Sequence, residues 1–128
     1  MKINRLYIGA LSTVYLTNSL ALSNDTPKWC ADVTLSGIVS KSIVIHPFNG
    51  SKNPVYMLKL SKPINVPKGI EADCTFDKAS TDKVQLVLLN KKDSATINSK
   101  LGKNATFTGK ILPPGTAIEV RPIILIVE

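Results

Sequence analysis

Val33-Thr34-Leu35-Ser36-Gly37-Ile38-Val39-Ser40-Lys41-Ser42-Ile43-Val44-Ile45 opens with strict alternation, so that Val33, Leu35, Gly37 and Val39 face one way. A period of two over β-branched residues marks a strand with one buried face. Gly37 in mid-strand predicts a bulge or a sharp bend, as a strand needs where it curls to help close a barrel. The stretch 103–112 repeats the device, with Ala105, Phe107, Gly109 and Ile111 alternating around a second mid-strand glycine.

Outward from the first strand, the turn residues of His46-Pro47-Phe48-Asn49-Gly50-Ser51-Lys52-Asn53-Pro54 lead into a second strand over 55–64, where Tyr56, Leu58 and Leu60 share a face. The two make a long hairpin. The stretch 65–82 has charges, Pro67, Gly69 and no sustained period, which predicts a long loop carrying Cys74. A third strand follows over 83–90. Within 93–102, Asp93 as a cap, Ile97 and Leu101 four residues apart, and Gly102 just beyond predict a short helix. After the fourth strand, Pro113-Pro114-Gly115-Thr116 turns into a last strand over 117–127, with Ile118, Val120, Ile124 and Ile126 on one side. Five strands, a short helix between the third and fourth, and glycines that permit bending predict an all-β fold, a small Greek-key barrel of the OB type. A small β-sandwich competes, although five strands are few for one.

The N-terminus sets the expected compartment. Lys2 and Arg5 precede an uncharged run from Leu6 to Ser23, the order of a secretory signal peptide. Ala21-Leu22-Ser23 offers small residues for cleavage, so the expected division is a signal peptide over 1–23 and one domain over 24–128. A retained anchor fits less well, because Gly9, Ser12, Thr13, Thr17, Asn18 and Ser19 interrupt the run. No membrane span is expected after cleavage. Loss of the first 23 residues leaves 105, with 14 of the 16 Lys and Arg against all 9 Asp and Glu, a formal net charge of +5. Both cysteines, Cys30 and Cys74, lie in that domain, and in an exported chain an even count reads as a disulfide. Two free buried thiols are the alternative. The bond would close a loop for which chain entropy contributes roughly 4 kcal/mol.

Val33 to Val39, Tyr56 to Ile64, Val84 to Val87 and Leu101 to Gly109 together resemble domain-of-unknown-function family 4431, a family of uncharacterised bacterial exported proteins. The resemblance covers most of the mature chain in the right order. It departs at Ile64-Asn65, where that family carries a cysteine, and over 112–121, where it carries histidines. It implies export from a bacterium and a small β-fold, with no mechanism.

Catalytic patterns are missing. The single histidine, His46, sits in a Pro-Asn-Gly turn with no G-x-S-x-G nucleophile motif in the chain. Asp73 and Asp77 beside Glu71 and Lys78 read as a solvated charge cluster, and the glycines are isolated, so there is no phosphate loop. Two cysteines and one distant histidine do not make a four-ligand zinc site. We therefore expect neither enzyme activity nor a metal or other cofactor.

Basic charge on an OB barrel raises nucleic-acid binding, but the mature chain offers only Trp29, Phe48, Tyr56, Phe76 and Phe107 for stacking, with Tyr56 and Phe107 placed in the core by alternation. The charge is better used toward an anionic envelope surface or an acidic protein. Phe48, with Asn49 and His46 beside it at the hairpin tip, is the candidate contact, unless its ring folds back onto the barrel end. The leading expectation is a periplasmic or secreted, monomeric, non-catalytic binding module for a protein or cell-envelope partner. Two others are an inhibitor or immunity protein that blocks a toxin or hydrolase, and a glycan-binding toxin subunit.

Overall fold

The computed structural model describes residues 26–90 and 92–128, so the expected signal peptide over 1–23 and the expected mature start at Asn24 lie outside the described residues. Five strands and one helix follow in the order β1 (Asp32–Ile45), β2 (Lys52–Val66), β3 (Ala79–Leu88), α1 (Lys92–Asn98), β4 (Asn104–Leu112) and β5 (Ile124–Val127). The strands close in the order β1-β2-β3-β5-β4, with β4 returning to β1. All pairings are antiparallel except β3 with β5. This order, with the helix between β3 and β4, is that of an OB-like Greek-key barrel. Among the described residues, no helix is long and apolar enough to cross a membrane.

Inward positions alternate along each strand and meet in one core: Val39 from β1, Tyr56, Leu58 and Leu60 from β2, Val84 and Leu86 from β3, Ala105, Phe107 and Ile111 from β4, Leu125 and Val127 from β5. Ile97 is the buried residue of α1 and joins the same cluster. Leu101, expected beside it on the helix, instead bridges to Val39 and is partly exposed. The helix stops at Asn98 because its successors turn, and Gly102 then takes a left-handed φ of 76°. At its start, the Asn90 side chain accepts the Lys92 N–H at 3.0 Å, the capping role expected of Asp93.

The mid-strand glycines act through close approach. Gly37 stays in register with Leu60 of β2 and Ala105 of β4 at once, so the predicted bulge is not in β1. The irregularity lies in β2, between Lys59 and Ile64. A Cβ on Gly37 would run into the Lys59 carbonyl, and one on Gly109 into the Ile126 carbonyl. These are backbone atoms, which yield little.

Two boundaries differ from the sequence reading. The loop expected over 65–82 is shorter, because Asn65 and Val66 extend β2 and 79–82 extend β3, pairing beyond the bulge. The last strand is four residues long, not the 117–127 that its apolar content implied. Gln85, which is 2% exposed, holds the segment before it: its amide nitrogen donates to the Ile118 carbonyl at 3.1 Å and its amide oxygen accepts the Val120 N–H at 2.8 Å. Arg121 donates to the Lys83 carbonyl and the Thr81 hydroxyl. With its backbone and side chains committed in this way, 117–122 is a fastened loop. On β5 the inward residues are Leu125 and Val127, so the face assigned to Ile124 and Ile126 is the outer one.

Cys30 and Cys74 are bonded, tying the entry to β1 to the β2–β3 loop. Cys30 has a φ of 67°, a region that residues with a Cβ seldom adopt, and its N–H is held by the Ile111 carbonyl at 2.9 Å. Trp29 beside it is buried, donates its indole N–H to the Asp77 carbonyl at 3.1 Å and meets Phe76 edge-on. Outside the barrel, Lys110 pairs with Asp32 and Lys59 with Asp82, and each lysine holds its partner's carboxyl below the usual range.

Gly109→Ala is expected to cost about 1–3 kcal/mol, the range for forcing atoms into packed space, while Gly115→Ala, whose added carbon meets ordinary contact, stays near neutral. Urea unfolding of both checks this. Reduction of the Cys30–Cys74 bond is expected to cost about 2–5 kcal/mol, read as a lower melting temperature with reductant. An unchanged transition would contradict it.

Candidate functional site

The β1–β2 hairpin is longer than the barrel it serves. β3 pairs with β2 only from Tyr56 onward, and β4 pairs with β1 only as far as Ile38. The segments 43–45 and 52–54 therefore have only each other as ladder partners, and beyond the buried Val55 they project as a two-stranded ribbon. The inward face of β1 continues along it: Val39 is fully buried, while Ile43 and Ile45 are 57% and 60% exposed. Lys41 marks the exit from the core, its ammonium 5.8 Å from the centre of the Tyr56 ring.

At the tip, the loop uses two of the three expected contact residues to shape itself. His46 Nδ1 accepts the Phe48 N–H at 3.2 Å, and Asn49 Oδ1 accepts the Ser51 N–H at 2.9 Å. Gly50 takes a φ of 70°, and the His46 N–H donates to the Ser51 carbonyl at 2.8 Å to close the turn. Phe48 is left outside. It is 90% exposed, with the His46 ring as neighbour at 5.8 Å, so it does not fold back onto the barrel end. Cys30, at the entry to β1, and Cys74, in the β2–β3 connection, are not part of this loop.

Ile43 and Ile45 were missed as surface residues because apolar alternation alone reads as core. The mismatch between a β1 running to Ile45 and a predicted third strand of only 83–90 was the available signal. Ile43 and Ile45 are exposed on one face of the ribbon, with Lys41 before them and Lys52 paired opposite Ile45, and Phe48 stands exposed at the tip beyond them. Isolated exposed apolar side chains are ordinary, whereas several grouped on one projecting element mark a contact surface.

The usual OB ligand face is built differently. Met57 on the outside of β2 stands opposite Gln85 of β3, and both are buried outside the core cluster, where Gln85 binds the 118–120 backbone. The β4–β5 loop thus lies down on a surface where an OB barrel would stack bases. No aromatic side chain is among the residues buried there.

Phe48→Ala is expected to leave stability within about 0.5 kcal/mol of wild type, against about 2–5 kcal/mol for Leu58→Ala in the core. Chemical denaturation of both variants measures this, and a large loss for Phe48→Ala would mean that its ring packs in solution. No family model matches the chain, and no curated protein matches it in sequence.

Proposed function

We propose that this protein is an exported, non-catalytic OB-like binding module that holds a protein or cell-envelope partner through the tip of its β1–β2 hairpin. The observation that carries this reading is Phe48, 90% exposed at the end of a ribbon whose apolar face continues through Ile43 and Ile45. Aromatic side chains at the centre of a contact supply most of its affinity, and here the ring is presented at no cost to the core. Lysines beside it favour an anionic counterpart and speed encounter.

Export rests on the N-terminal charge and hydropathy order and agrees with the Cys30–Cys74 bond, which persists in oxidising compartments. The resemblance to domain-of-unknown-function family 4431 belongs to the same proposal. Its strings fall on β1, β2, β3 and β4 with the approach to it, and include the inward Val39, Leu58, Val84 and Phe107. Those residues answer to barrel packing, so the resemblance supports the fold and compartment and specifies no chemistry.

Immobilised protein incubated with a solubilised envelope fraction is expected to retain a component that Phe48→Ala and Ile43→Asp variants release. No retention above background, or equal retention by the variants, would remove the support for this surface.

A further inference from the structure

On the opposite end of β1 from the hairpin, the barrel is split. β1 pairs with β2 only from Gly37 onward, so over 32–36 its β2-facing edge has no ladder partner among the described residues. β2 curls away there, through the irregular stretch between Lys59 and Ile64. The split opens a groove of about 1070 Å³ between 32–36 of β1 and 60–65 of β2, lined also by the segment 26–28. Val33 and Leu35 point inward yet are only half-buried, because the wall that would cover them is missing, and Leu60 and Ile64 are buried beside them.

The two edges differ. β2 has Pro63 in its irregular stretch, which lacks an N–H and blocks regular pairing. β1 over 32–36 contains no proline, and its other edge is fixed by β4, with Thr34 to Thr108 and Ser36 to Thr106 hydroxyl contacts at 2.9 and 2.6 Å. An unpaired, rigidly backed strand edge is a template for a further strand.

Charge selects the occupant. Asp32, the acidic residue lining the groove, is taken by Lys110 at 3.0 Å. Lys28 and Lys62 line the same groove and are exposed, with no carboxylate partner among the described residues. Lys28 also borders a second, smaller cavity of about 300 Å³ walled by Trp29, Pro67, Ile70 and Cys74. Ile70 there is 88% exposed.

We propose that this seam binds an extended acidic peptide segment of a partner protein, which adds as a strand to the free edge of β1 over 32–36. Its carboxylates pair with Lys28 and Lys62, its inward side chains cover Val33 and Leu35, and an apolar residue beyond Lys28 enters the cavity beside the disulfide. This site is separate from the hairpin tip and stands or fails independently of it.

The probe is a blocked peptide of alternating Glu and Val, about six residues long, enough to span 32–36 at the rise of an extended strand. Calorimetry is expected to show saturable, sub-millimolar binding, and amide exchange at 33–36 is expected to slow. Lys28→Glu with Lys62→Glu, both at exposed positions that leave the fold intact, is expected to weaken binding at least about tenfold and to admit the matching Lys and Val peptide instead. Backbone N-methylation at alternate peptide residues is expected to abolish binding, and Phe48→Ala to leave it unchanged. Absence of saturation, equal affinity for the N-methylated peptide, indifference to the double charge reversal, or loss on Phe48→Ala would each overturn the proposal.

Discussion

At Gly37 and Ile38, β1 is hydrogen-bonded to two neighbours at once, β2 on one edge and β4 on the other. Closure of the barrel depends on that shared segment. There the Lys59 carbonyl approaches so closely that a Cβ on Gly37 has no room, and the same constraint recurs where Gly109 of β4 meets Ile126 of β5. A β-carbon at either point would push neighbouring strands apart where the barrel has to close.

The same division of β1 accounts for both surfaces of functional interest. Before Gly37 the strand belongs to β4, and its other edge is free; after Ile38 it belongs to β2, and the pair overshoots the barrel. The seam and the ribbon are thus two results of one strand that changes partners part-way along its length. Lys41 and the exposed Ile43 and Ile45 mark where the inward face leaves the core. Val33 and Leu35 mark where it is incompletely roofed.

A second arrangement removes surface. Gln85 is a buried polar side chain whose two ends are both satisfied by the 118–120 backbone, which avoids the penalty of burying an unpaired amide. In return the β4–β5 loop is pinned across β3, and Met57 and Gln85 cease to be available to a ligand. With that loop fastened and the β2–β3 loop held by the Cys30–Cys74 bond and Trp29, the β1–β2 hairpin is the connection left projecting.

Much of this was legible in order of residues. Period-two alternation located β1, β2 and β4, an apolar run located β3, the order of Asp93, Ile97, Leu101 and Gly102 located α1, and the mid-strand glycines indicated curvature, because these signals are local. Apolar content over 117–127 misled, since Ile118 and Val120 lie in a loop whose hydrogen bonds go to Gln85, a residue more than thirty positions away. Phe48 was legible as a turn aromatic, but whether it folds back depends on its distance from the barrel end. The sequence by itself determined the strand pattern, the placement of the core and the pair of cysteines available for bonding, all of which follow from side-chain chemistry at fixed spacing. Only the tertiary structure decided where β1 changes partners, because register is set by the whole closed ring, and that change of partner determines which residues remain exposed.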